Sequence, residues 1–136
     1  MVFGAFDSSH YTRVFLHGML ANRSTPIVSC LGVPGTGCKR LKSRLRRIDS
    51  IHFISGTVQD AKIAAGVECF DVVLFDRDIP RTEEAFEAIR GAKTVLLSDV
   101  NTYLGHTIVL RLIERKYRLV GERMSASTRH AIFARS

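Results

Sequence analysis

Three aspartates stand where two apolar runs end. The run Phe70 to Phe75 reads FDVVLF and is followed at once by Asp76 and Asp78, and the run Thr94 to Leu97 is followed by Ser98 and Asp99. Carboxylates at neighbouring strand ends suit two kinds of chemistry: holding a hard cation such as magnesium, or acting as a base on a hydroxyl substrate. Asn101 adds a neutral oxygen that fits the same cation, or the cap of a following helix. The ordinary structural use of a strand-end aspartate is also a cap or turn, and it suits Asp78 more than Asp76.

A second constellation lies earlier. Gly32-Val33-Pro34-Gly35-Thr36-Gly37-Cys38-Lys39-Arg40 is spaced like a loop whose glycines let backbone amides cradle phosphates, with Asp76 available for a metal. Cys38 occupies the lysine position of such a loop and Lys39 the Ser/Thr position, and one residue on a helix turns a side chain by about 100°. Phosphate binding by amides at a helix N-terminus survives that slip, because it needs no particular side chain. The plainer reading is a Pro-Gly turn into a helix. His10, His17, His52, His106 and His130 show no triad or metal-ligand spacing.

These residues need elements to hold them. Short apolar runs rich in β-branched and aromatic residues alternate with amphipathic stretches, the pattern of βα units on a mostly parallel sheet. Strands are expected at Val2 to Phe6, Ile27 to Leu31, Ile51 to Ile54, Phe70 to Phe75 and Thr94 to Leu97. Helices are expected at Ser9 to Ala21, Gly37 to Ile48, Thr57 to Ala65 with Gly66 as its stop, Arg81 to Arg90, and Leu104 to Lys116. Tyr117 to Met124, a turn at Ser125 to Thr128, and His130 to Ala134 read as a closing antiparallel hairpin. On this reading Asp76 and Asp99 emerge at one edge of the sheet.

Composition bounds the rest. The chain has 136 residues, 46% hydrophobic, with 3 prolines, which suits one folded domain over residues 1–136 rather than a disordered tail. Cys30, Cys38 and Cys69 are odd in number and lack CxxC spacing, so neither a disulfide framework nor a zinc site is expected. No apolar run reaches membrane-spanning length and the first residues do not read as a signal peptide, so a cytoplasmic protein is expected. Twenty Lys and Arg against 13 Asp and Glu leave a charge of +7, which attracts anionic partners. Lys39, Arg40, Arg44 and Arg47 crowd the outer face of one helix, a surface for non-specific nucleic-acid contact with no interleaved aromatics to stack bases.

The whole layout resembles the class I S-adenosylmethionine-dependent methyltransferases. Phe3-Gly4-Ala5-Phe6-Asp7-Ser8-Ser9 stands where that family has its first, glycine-rich loop, and IHFISGTVQD looks like its third strand with a Gly-x-x-x-Asp loop. FDVVLFDRD and TVLLSDVN resemble its fourth and fifth strands with acidic ends, and YRLVGERMSASTRHAIFARS its last two strands. The resemblance implies a three-layer α/β/α Rossmann-like sandwich whose mostly parallel seven-stranded sheet ends in an antiparallel hairpin. It implies S-adenosylmethionine held by Gly4, Ser8, Gly56, Asp60 and Asp76, with Asp78 and Asp99 as catalytic residues facing an oxygen or nitrogen nucleophile on a small-molecule or nucleic-acid substrate. Where the family presents a carboxylate to the ribose hydroxyls this chain has Leu31 and Gly32. Two alternatives follow: a non-catalytic domain of the same fold in a structural, nucleic-acid-binding or larger-assembly role, and a phosphate-binding protein using the loop at Gly32.

Overall fold

The structure is a computed structural model; it describes residues 2–4, 14, 17–19, 21, 28–31, 51–54, 56–76, 82–125 and 128–136. Seven strands form one sheet: β1 (Val2–Gly4), β2 (Val28–Leu31), β3 (Ile51–Ile54), β4 (Val72–Asp76), β5 (Thr94–Leu97), β6 (Tyr117–Ser125) and β7 (Thr128–Arg135). Their spatial order is β3-β2-β1-β4-β5-β7-β6. The first five pair in parallel, and β7 runs antiparallel to both β5 and β6. The sheet is therefore mixed, parallel except for its closing hairpin. That hairpin carries an irregularity between Leu119 and Gly121, which shifts the register so that Gly121 rather than Val120 faces Ile132.

Three helices with described bounds cover one face: α1 (Val58–Ala65), α2 (Thr82–Ala88) and α3 (Tyr103–Glu114). Helical backbone also occurs at Val14, residues 17–19 and Ala21. The second helical layer of the expected sandwich falls on residues 5–27 and 32–50, mostly outside the described residues, and the expected helix Gly37 to Ile48 lies wholly outside them.

The core shows why the three helices dock where they do. Alternate residues of β4, β5 and β7, namely Val73 and Phe75, Val95 and Leu97, Ala131 and Phe133, turn to one face, as a period of two requires. Against them lie Val58, Ala61 and Ala65 of α1, Ala85 and Ala88 of α2, and Ile108 and Leu112 of α3. The alanines let α1 and α2 approach the sheet closely, while Ile108 and Leu112, four apart, supply bulk from α3. Burying a side chain such as Leu112 contributes about 1.5–3 kcal/mol. Polar ties link the helices side by side. The backbone N–H of Val58 donates to Glu84 at 2.8 Å, buried Lys62 pairs with Glu87, and the Arg111 guanidinium lies 5.0 Å from the Phe86 ring centre.

Several expected boundaries shift for local reasons. The β4 strand includes Asp76 as its last residue rather than stopping at Phe75, because its ladder to β1 continues to Gly4. It starts at Val72, not Phe70, since the backbone at Asp71 turns to accept bonds from Lys93 and Thr94 at 2.8 and 3.0 Å. The last helix stops at Glu114 rather than Lys116: Arg115 caps it and Lys116 adopts φ 64. Its first cap is Thr102, whose hydroxyl accepts from the N–H of Gly105 at 2.9 Å, and not Asn101.

Candidate functional site

The parallel register aligns the carboxyl ends of five strands. Ile54 is level with Leu31, Leu31 with Phe3, Gly4 with Asp76, and Phe75 with Leu97. Ser98 prolongs the ladder by donating its N–H to the Phe75 carbonyl at 2.9 Å. Gly4, Asp76 and Asp99 therefore come from the three adjacent strands β1, β4 and β5 at one edge. An open sheet of this kind presents such an edge to ligands.

Asp99 is placed by the turn that enters α3. Its Oδ1 accepts from the N–H of Asn101 at 3.1 Å, and the N–H of Val100 donates to the Arg129 carbonyl at 2.9 Å. The turn presses on the helix: a Cβ on Gly105 would lie 2.6 Å from the Asp99 carbonyl oxygen and 2.8 Å from that of Val100. Only glycine lets the carboxylate-bearing turn sit this close to the first turn of α3.

Gly56 and Asp60 sit at the same edge but farther out, in the loop after β3 and the first turn of α1, with β2 between β3 and β1. Two strand spacings separate β3 from β1 by about 10 Å. Both residues serve α1. The Asp60 Oδ2 accepts from the Thr57 N–H and from the Thr57 hydroxyl, each at 2.8 Å, and the Thr57 hydroxyl accepts from the Asp60 N–H at 3.2 Å. This reciprocal capping box satisfies donors that a helix start leaves unpaired. The Thr57 backbone bond, followed by its hydroxyl bond, holds the Asp60 carboxyl below its ordinary pKa. A Cβ on Gly56 would lie 2.5 Å from Asp60 Oδ2, so the glycine admits the cap.

Beyond β5, on the sheet face away from α1–α3, a cavity of about 350 Å³ opens at this same edge. Leu74, Leu96 and Ile132 form its apolar floor, while Ser98, Arg123 and His130 bring polar groups to it. Glu122 also reaches it, but Arg129 engages that carboxylate through both Nε and Nη2, the latter at 2.9 Å. Those bonds lower the pKa of Glu122 and raise that of Arg129, so the pair is charged at neutral pH. The lone-histidine reading of the sequence passes over His130. The signal that finds it is the antiparallel return of β7, which pairs Ala131 with Leu97 and so carries the preceding residue to Ser98.

Ser8, Asp78, the loop from Gly32 to Arg40, and Lys39, Arg40, Arg44 and Arg47 lie outside the described residues, as does the side chain of Asp76. Among the described residues no group of three or more His, Cys, Asp or Glu could hold a metal ion. Cys69 is a free thiol, and no described helix is long and apolar enough to cross a membrane.

No family model matches the chain, and no curated protein matches it. Solved structures do. The fibrillarin of Aeropyrum pernix with natively bound S-adenosyl-L-methionine superposes with a TM-score of 0.63 at 13% identity, covering 97% of this chain and 64% of that one. TrmK of M. capricolum in complex with S-adenosyl-homocysteine gives 0.61 at 8% identity, covering 97% of this chain and 58% of that one. The chain thus has a class I methyltransferase-like fold and spans about three-fifths of the length of these neighbours.

Proposed function

We propose that the protein is a methyltransferase that uses S-adenosylmethionine and methylates an oxygen or nitrogen nucleophile at the carboxyl edge of its sheet. The observation that carries this reading is the register that brings Gly4, Asp76 and Asp99 to one edge in a fold shared with structures that hold S-adenosylmethionine or S-adenosyl-homocysteine. The cofactor supplies an electrophilic methyl group on a sulfonium. Gly4 leaves the backbone of β1 open to close approach, and Asp76 stands level with it on the neighbouring strand. Ser8 and the loop at Gly56, whose outline the Asp60 cap fixes, complete the cofactor side. Asp78 and Asp99 face the acceptor, orient its hydroxyl or amine, and take up the proton it loses. The cavity over Leu74, Leu96 and Ile132 has the size and the apolar floor for part of an acceptor. Positioning of donor and acceptor, more than covalent chemistry, is what such a transfer requires.

One observation favours a second reading, a non-catalytic domain of this fold in a binding or structural role. The β2 strand ends in Leu31, which offers the ribose hydroxyls no carboxylate, and Asp60, in the first turn of α1 after β3, is committed to the helix cap. A lost charged hydrogen bond forfeits about 1.5–3 kcal/mol, roughly 10-fold to 150-fold in affinity.

Isothermal titration with S-adenosylmethionine and S-adenosyl-homocysteine separates the readings. The expected result is weak binding by the unmodified chain and binding about tenfold tighter by Leu31→Asp. Tight binding by the unmodified chain means that another carboxylate holds the ribose. No binding by either protein, with both folded by circular dichroism, sinks the methyltransferase reading in favour of the second.

A further inference from the structure

We propose that the opposite, amino edge of the sheet carries a phosphate-binding site, built where α2 and α3 end, β6 begins and β7 ends. A cavity of about 590 Å³ lies there, bordered by Arg90, Arg115, Lys116 and Arg135, with Glu114 and Tyr117 in its wall. Its size is that of a pocket for a small organic ligand.

The charge balance in this cavity is one-sided. Glu114 is engaged by Arg111 at 3.0 Å. Arg90 comes no nearer to Glu87 than 3.7 Å, and Glu87 is already the partner of Lys62. Among the described residues Arg115, Lys116 and Arg135 enter no ion pair. Tyr117 adds a fixed wall rather than a donor, since its hydroxyl is taken by the carbonyls of Ile89 and Ala92.

Cations after a helix complement the partial negative charge at its C-terminus. That accounts for Arg90, Arg115 and Lys116, which follow α2 and α3. It does not account for Arg135, which ends a strand and brings one more positive charge to the same cavity. Lys116 is notable for its backbone as well: it holds φ 64, a left-handed conformation that glycine adopts with less strain, while carrying a charge to the cavity mouth. Four positive groups around one opening, with Glu114, the one lining carboxylate among the described residues, engaged by Arg111, match a phosphate, which carries about −1.5 to −2 charge as a monoester and accepts several hydrogen bonds.

The site is separate from the proposed methyl-transfer edge. The four residues of β5 lie between the two, about 13 Å of strand. A phosphate bound here does not reach the reacting atoms; it anchors a larger ligand or is bound for itself. The phosphate belongs either to a nucleic-acid backbone or to a free phosphorylated small molecule, and the two sources are separable by experiment.

The probes are inorganic pyrophosphate, followed by calorimetry, and a fluorescent 20-nucleotide single strand, followed by anisotropy across a salt series. The proteins are the full chain and the double variant Lys116→Gly, Arg135→Gln. Glycine keeps the left-handed turn, so the variant removes two charges without forcing the backbone; Arg115→Gln is the second variant should the double variant fold poorly. The expected result is binding of at least one probe, weakened tenfold or more in the double variant. With the oligonucleotide, the slope of log affinity against log salt should also shrink by about 1.4, two contacts at about 0.7 each. Pyrophosphate that binds and competes with the strand points to a free phosphorylated ligand as a fitting occupant, and a strand that binds while pyrophosphate does not compete points to the backbone. Binding of neither probe overturns the site. So does a double variant with the parent's affinity and salt slope, above all if Arg44→Glu, Arg47→Glu removes strand binding instead.

Discussion

At the amino edge, main-chain bonds, the hydroxyls of Tyr117 and Ser136 and a surface ion pair between Lys93 and Asp71 do the fastening. Asp71 accepts from Lys93 and Thr94, Lys93 from Arg135, and the Tyr117 hydroxyl ties the chain after α2 to the start of β6. The cations Arg90, Arg115, Lys116 and Arg135 make none of these fastening bonds with their side chains, so they can be exchanged while the edge stays closed. At the carboxyl edge the candidate site side chains are themselves part of the fastening. Asp99 holds the N–H of Asn101, and Asp60 holds Thr57. The difference teaches how to read variants: loss of function at the amino edge reports on binding, whereas at the carboxyl edge it must be measured against a change in fold.

The largest effect is expected where the carboxyl edge is tightest. Gly105→Ala puts a methyl group 2.6 and 2.8 Å from two backbone oxygens, which cannot swing aside as a side chain would. The turn from Asp99 to Thr102 must move, and overpacking of this kind costs about 1–3 kcal/mol, more than the roughly 1 kcal/mol alanine gains in helix propensity. With Tm moving roughly 4 °C per kcal/mol for a chain of this size, thermal denaturation should show a drop of several degrees. An unchanged Tm would mean that the turn yields freely, and the contrast between the edges would weaken.

A smaller loss tests the other edge. Tyr117→Phe deletes the hydroxyl that bonds the Ile89 and Ala92 carbonyls. Ile89 keeps a second donor, the N–H of Ala92 at 3.1 Å, so mainly one buried carbonyl is left short and the cost should be about 1–2 kcal/mol. Because none of the four cavity cations changes, phosphate affinity should stay within about twofold of the parent. A large fall in affinity at unchanged stability would place the hydroxyl in the site instead of in its wall.

How far these edges could be foreseen depended on whether the governing contact is local. Thr94–Leu97 and Ile51–Ile54 fall where the apolar runs predict them, because polar or turn-forming neighbours bound each run. Gly66, in the left-handed region, stops α1 as its composition suggests. The common edge for Asp76 and Asp99 follows from parallel strands alone, with no knowledge of their order. The non-local features were out of reach. The hairpin register depends on an irregularity between Leu119 and Gly121, where a strand glycine hints at a bulge but only the partner strand fixes its register, and His130 acquires its place beside Ser98 only through that return. The same holds for the cation cluster, assembled from a helix end near residue 90, another near 115 and the last strand. Asp60 is the intermediate case. Its spacing from Gly56 resembles a cofactor loop, yet Thr57-x-x-Asp60 is also a capping-box pattern, and both readings were available in the same five residues.

The smallest expected effect concerns the layer between the edges, where α1 meets α2. Lys62 is 6% exposed and its charge is answered by Glu87, whose side chain is 38% exposed. The hydrogen bond from Lys62 lowers the pKa of Glu87, against a smaller opposing effect of burial. A carboxylate with a depressed native pKa contributes stability above its unfolded value, about 4.3, and loses it as pH falls through the native value. Because Glu87 is more than a third exposed, water screens the pair, and the contribution should be no more than about 1 kcal/mol. Urea denaturation at pH 7 and at pH 3 should therefore show Glu87→Gln less stable than the parent at pH 7, with the gap narrowing at pH 3, below the unfolded value of the carboxylate. The control sits on the carboxyl-edge hairpin: Glu122 is depressed by Arg129 in the same direction, but Arg129 is exposed where Lys62 is buried, so Glu122→Gln should narrow the pH dependence less and lose its effect in high salt. A gap for Glu87→Gln that persists unchanged at pH 3 would show that its amide disturbs the packing around Lys62, and that charge is not what joins α1 to α2.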